Sequence, residues 1–139
     1  MKIVPYRSVG PIAFGMTVDE VRRTLGDPVT SFMRSPWSKH PCDAYDDTSM
    51  FVYYTKDGCV EAMEFASPSS LLLNRFDLTT LNYGQLYDVL LQEGDVLEKD
   101  GEMKSIPLGI AAFSPDAAKE PKRSAVLESV IVFSKGYYS

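Results

Sequence analysis

His40, Cys42, Asp43, Asp46 and Asp47 fall within one short stretch of the chain, and all are residue types that bind metals or activate nucleophiles. A zinc site needs about four such ligands, as Cys-x-x-Cys pairs or spaced histidines. His40 is the only histidine, and the second cysteine, Cys59, lies well apart in sequence. A calcium loop needs a glycine at its sharp turn and a distal glutamate, which the acidic trio lacks. With one imidazole, a Ser-His or Cys-His system would have to bring Cys42 itself or a remote serine to that ring. There is neither a Gly-x-Ser-x-Gly elbow nor a glycine-rich phosphate loop. Glu61 and Glu64, at odd spacing on a strand, should point to opposite faces and cannot act as a pair. The expectation is a chain without catalytic residues, metal or cofactor.

The same stretch is better suited to recognition. Trp37 and Tyr45 offer large rigid contact area, and Asp43, Asp46 and Asp47 offer an acidic rim for Lys or Arg on a partner. The competing reading is an ordered loop whose Trp37 and Tyr45 cover the core. Tyr53-Tyr54 and Tyr137-Tyr138 are adjacent pairs, so in extended chain each pair sends one ring to each face of a sheet. One ring of each pair packs inward and the other lines an open face. The partner-binding residues expected from sequence are Trp37, Asp43, Tyr45, Asp46, Asp47, Tyr54 and Tyr137.

Charge narrows the partner. With 14 basic and 19 acidic residues the net charge is −5, which argues against nucleic acid, whose phosphates need clustered cations. A basic protein is the natural complement. The N-terminal stretch Met1 to Arg7 contains no apolar run of signal-sequence length, and no later segment approaches a membrane span. A soluble, cytoplasmic protein with reduced thiols is expected. The acidic stretch Glu93 to Glu102 reads as the solvated end of a helix and a turn.

Positioning these residues requires a scaffold, and the chain reads as one written twice. Met16-Thr17-Val18-Asp19-Glu20-Val21 recurs as Leu81-Asn82-Tyr83-Gly84-Gln85-Leu86. Each copy has an N-cap residue, a Glu or Gln three positions on, and flanking apolar residues, which is a capping box with a hydrophobic staple. Helix one should run from Thr17 to a stop at Gly26 and Pro28; helix two should run from Asn82 to about Glu93. Gly84 costs the second helix up to ~1 kcal/mol relative to alanine, so packing must require it. Residues 51–55 and 59–66 flank Lys56-Asp57-Gly58 and predict a β-hairpin; 109–114 and 125–133 predict a second with a longer turn. Arg34 to Met50 shows no periodicity and reads as loop. At 139 residues with 45% apolar content, the expectation is one domain, 1–139, of class α+β. Its two pseudo-repeated halves, 1–68 and 69–139, would each supply a helix and antiparallel strands.

The run Phe14-Gly15-Met16-Thr17-Val18-Asp19-Glu20-Val21-Arg22-Arg23-Thr24-Leu25-Gly26-Asp27-Pro28 resembles the G-M-T-x-x-E-V-x-x-x-L-G-x-P segment of the small outer-membrane lipoprotein A family. The β-lactamase inhibitor proteins resemble that family in tandem. This likeness implies helices packed on an antiparallel sheet whose other face takes a partner's loop. The whole chain, with Gly10-Pro11-Ile12-Ala13-Phe14-Gly15-Met16-Thr17 early and Val130 to Tyr138 late, also resembles small acidic bacterial immunity proteins. That resemblance implies a cytoplasmic inhibitor that neutralises a cognate toxin domain by occluding its active site. The alternatives are a small-ligand or peptide-binding module using a groove between the halves, and a hydrolase built on His40 and Cys42.

Overall fold

The structure, a computed structural model, describes residues 1–45, 49–66, 70–118 and 122–138. Both predicted helix starts form. Thr17 and Asn82 accept hydrogen bonds from the backbone N–H groups of Glu20 and Gln85, whose side chains accept in return from the cap N–H groups. Helix α1 spans Val18–Leu25 and α2 spans Tyr83–Leu91. Gly26, at φ 87°, ends α1 in a conformation that glycine takes without strain.

The strands are β1 (Ile3–Val4), β2 (Ser8–Val9), β3 (Ile12–Ala13), β4 (Thr30–Phe32), β5 (Cys42–Tyr45), β6 (Met50–Tyr54), β7 (Val60–Ala66), β8 (Leu72–Leu73), β9 (Phe76–Asp77), β10 (Leu97–Lys99), β11 (Glu102–Ser105), β12 (Ile110–Phe113) and β13 (Ser129–Phe133). Eight of them form one antiparallel sheet in the order β10-β11-β12-β13-β7-β6-β5-β4. The β6–β7 hairpin forms as expected around Gly58, with Phe51 opposite Glu64. β1 to β3 make a small meander, and β8 and β9 a hairpin joined to it by a bridge between Lys2 and Leu72.

The α+β expectation, with each half a helix, a short strand and a hairpin, is therefore corrected: the fold is predominantly β. The two helices have only 8 and 9 residues, while the sheet gains strands from segments read as loop or turn. β5 lies inside the aperiodic stretch 34–50 and is buried at every position. A strand covered on both faces has no polar alternation to betray it. β10 lies in the acidic stretch read as a helix end and a turn, with β11 starting at its last residue, and β10, exposed throughout at the sheet edge, shows no alternation either.

Period-2 alternation gives the sheet two different faces. One carries Val52, Met63, Phe65, Met103, Ile110, Val130 and Val132, packed with Val21 of α1 and Leu86 and Leu90 of α2 into the main core. Each such side chain contributes about 1.5–3 kcal/mol on burial. The other face holds Cys42, Tyr53, Ala62, Ala111, Ile131 and Phe133, with Tyr6, Phe51 and Tyr137 packed on them. No residue of α1 or α2 joins this second cluster among the described residues.

Candidate functional site

The helix-free face is covered by long side chains instead. Arg34, leaving β4, lays its guanidinium 4.0 Å from the centre of the Tyr53 ring and donates to the Tyr137 hydroxyl at 2.8 Å. Tyr137 and Tyr138 both pack on Phe133, at centroid distances of 6.0 and 4.8 Å, and the Lys104 ammonium sits 3.8 Å from the Tyr138 ring centre. Such cation–π contacts orient the charge while leaving its outer side to solvent. Tyr53 donates a short hydrogen bond to Glu64, and burial followed by that bond pushes its hydroxyl well above the ordinary range.

Two clefts open on this face, with Arg34 lining both. The first, about 310 Å³, is lined by Arg34, Trp37, Lys39, His40, Lys56 and Glu61, with Cys42 and Tyr53 beneath. Its cations outnumber its carboxylates. His40 packs against Tyr54 at a centroid distance of 5.3 Å, and its Nδ1 lies 2.7 Å from the Pro41 carbonyl oxygen, to which an Nδ1–H donates. Burial raises the Glu61 pKa against the opposing pull of Arg34. The second cleft, about 220 Å³, has the reverse sign: Glu64, Glu102 and Glu128 surround Ala111, Ser129 and Ile131, with Tyr138 on one wall.

The predicted site residues divide sharply. Trp37 is 83% exposed on the rim of the first cleft, so it does not cover the core. Tyr137 is on the open face, and so is Tyr138; the expected division of this pair between two faces is corrected, because residues 135–138 form turns rather than extended chain and both rings pack on Phe133. Asp43 is corrected from acidic rim to interior group: it is 1% exposed and receives hydrogen bonds from Arg22 Nε at 3.1 Å, Arg22 Nη2 at 2.7 Å, Tyr54 at 2.8 Å and Ser31. Tyr45 is likewise corrected, because the strand pleat turns it into the main core, whereas Tyr54 joins that core and also lines the first cleft. Tyr45 donates to the Gly26 carbonyl oxygen and Tyr54 to Asp43. Of the Tyr53-Tyr54 pair it is Tyr53 that faces outward. Asp46 and Asp47 lie outside the described residues.

Glu61 and Glu64 also depart from the strict alternation rule. A register shift at Tyr53/Tyr54 pairs Tyr53 with Ala62 and Tyr54 with Val60, and this bulge leaves Glu61 beside Arg34's cleft on the face that also bears Glu64. They line separate clefts rather than forming one catalytic pair. Arg34, Lys39 and Lys56 were not expected in the site. The sequence signal for the first two is the basic run around the lone tryptophan, Arg34-Ser35-Pro36-Trp37-Ser38-Lys39.

No protein-family model matches the chain, and no curated protein does. Among solved structures, it is similar to a 1.5 Å crystal structure of an extracellular protein containing an SCP domain from Bacillus anthracis str. Ames. The TM-score is 0.51 at 9% identity, over 96% of this chain and 50% of that one. This chain thus spans half the length of that protein, and the likeness is one of fold. No helix among the described residues is long and apolar enough to cross a membrane.

Proposed function

We propose that this chain is a non-catalytic, protein-binding inhibitor: a cytoplasmic, immunity-type protein that neutralises a cognate toxin domain by lying over its active site. The observation that carries the reading is Trp37, an indole 83% exposed beside a cleft on a sheet face that neither α1 nor α2 covers among the described residues. Large rigid aromatics beside a concave surface are the residues around which protein interfaces concentrate their energy. Phe32, Phe113 and Tyr138 add exposed aromatic area on the same face. The net charge of −5 steers a basic partner at long range, while contact is made by the clefts.

Binding is favoured over hydrolysis by the state of Cys42. Burial pushes its thiol up in pKa, outweighing the opposing influence of nearby Arg34, and a protonated buried thiol is a poor nucleophile. The test is affinity capture from the protein's own cells with wild type and Trp37→Ala as parallel baits, followed by reconstitution. A stoichiometric partner retained by wild type and released by Trp37→Ala, whose own activity falls when the two are mixed, supports the reading. Capture that does not depend on Trp37, or a partner whose activity is unchanged by the complex, overturns it.

A further inference from the structure

We infer that the open face recognises an extended partner segment carrying one acidic and one basic side chain, the acidic one entering the cleft beside Trp37 and the basic one entering the cleft beside Tyr138. This rests on the reading of that face as the docking surface, and it names what the surface selects.

The argument begins with sign. In a chain of net charge −5, the first cleft gathers Arg34, Lys39 and Lys56 against the single carboxylate of Glu61. Neither Lys39 nor Lys56 has a carboxylate within ion-pair distance among the described residues. Arg34 is held directly by Tyr53 and Tyr137, which are uncharged groups, while Glu61 and Glu64 act on it without an ion-pair contact. The second cleft gathers Glu64, Glu102 and Glu128, against the single cation of Arg34, around the small residues Ala111 and Ser129, which leaves room over the sheet for an aliphatic stem, and Tyr138 supplies an aromatic wall. A Lys or Arg side chain has both parts such a cleft needs, an apolar stem and a cationic head. Glu102 reaches Lys104 only at 4.0 Å, and Lys104 is itself turned onto Tyr138.

The two clefts are separated by Arg34, by the step from β6 across β7 to β13, two strand spacings or about 10 Å, and by an offset of about 7 Å along the strands, since Tyr53 pairs with Ala62 whereas Ile131 pairs with Glu64. An extended chain covers the resulting distance of about 12 Å in about four residues. One segment with its opposite charges two or four positions apart, and so on the same side of the extended chain, can therefore satisfy both clefts, and a uniformly basic segment cannot, because Arg34, Lys39 and Lys56 would repel it.

The lone tryptophan reads the site directly, since Trp37 is the only indole in the chain and stands at the cleft rim. The experiment titrates the protein with synthetic extended peptides bearing one Glu and one Arg at separations of two, three and four, in both orders. Glu-only, Arg-only and neutral peptides of the same length serve as comparisons, and Trp37 fluorescence is the readout. The expected result is a saturable shift for bipolar peptides of separation two or four, tighter by roughly tenfold than for either singly charged peptide. Lys39→Glu should abolish the contribution of the peptide Glu, and Glu128→Lys that of the peptide Arg; both residues are exposed, so the variants fold. Equal binding of bipolar, singly charged and neutral peptides overturns the inference, as does a concentration-dependent Trp37 shift without peptide, which would give the face to a second copy of this chain. A Trp37-dependent inhibited partner without bipolar preference leaves the inhibitor reading standing and this one fallen. Bipolar preference with no inhibited partner does the reverse.

Discussion

Arg123 lies across Gly84 so closely that a Cβ placed on Gly84 would come within 2.9 Å of the Arg123 Cβ. The guanidinium continues over the first turn of α2, donating to the Gly84 carbonyl oxygen at 3.3 Å and to Asp88 at 2.6 Å. Glycine is retained in a helix, against its propensity, because the segment bearing Arg123 occupies the space of a side chain. Gly84→Ala should therefore destabilise the protein by about 1–2 kcal/mol, overpacking outweighing the propensity gain. Removing the colliding atom with Arg123→Gly should recover most of that loss, and a double-mutant cycle in urea measures the coupling.

Asp43 predicts the acid limb of stability. Burial alone would raise its pKa, but hydrogen bonds from Arg22, Ser31 and Tyr54, with the charge of Arg22, more than reverse this and leave it lowered. The folded state then binds this proton less readily than the unfolded chain. Its stabilisation is complete above the ordinary aspartate range and is lost as pH falls through the folded value. Asp43→Asn should cost about 1–3 kcal/mol at neutral pH, by weakening the Arg22 pairing and the acceptor for Tyr54. It should also flatten the acid dependence of the urea midpoint.

Glu61 predicts the opposite sign. Burial raises its pKa in spite of Arg34, so the folded state favours the protonated form. Stability from this group is full below the unfolded glutamate pKa and falls as pH rises through the folded one. Glu61→Gln should melt higher than the parent at neutral pH, with the difference vanishing in acid. Thermal melts across that range give the comparison.

Trp37→Ala should leave the unfolding free energy within about 0.5 kcal/mol of the parent, since so exposed an indole supports little packing. Partner affinity should fall by about tenfold or more, as for a buried interface anchor. Loss of stability comparable to a core truncation would return Trp37 to a structural role.

What could be read from sequence was what is local. The capping boxes at Thr17 and Asn82 and the turn at Gly58 are set by residues within a few positions, and all three formed. β5 was hidden because Asp43 looks like a surface residue until Arg22, on α1, is brought to it by the fold. Arg34 is hidden in the sequence for the same reason: its hydroxyl partner, Tyr137, lies 103 residues away. The placement of Glu61 depended on a bulge at Tyr53/Tyr54, which strict alternation does not foresee. Trp37 and Tyr137 stand out from residue type alone, whereas the sign of the cleft beside Trp37 follows only from tertiary structure.

β13 lies between β12 and β7, so the strand synthesised last among the eight is inserted near the middle of the sheet rather than at its edge. Until residues 129–133 have left the ribosome, β7 lacks its second neighbour and the strands on either side cannot be joined. Completion of the sheet therefore waits on residues 129–133, with its slowest step the pairing of segments more than sixty residues apart, such as Ala62 with Phe133. During that interval the exposed margins of β7 and β12 are what a chaperone would have to shield.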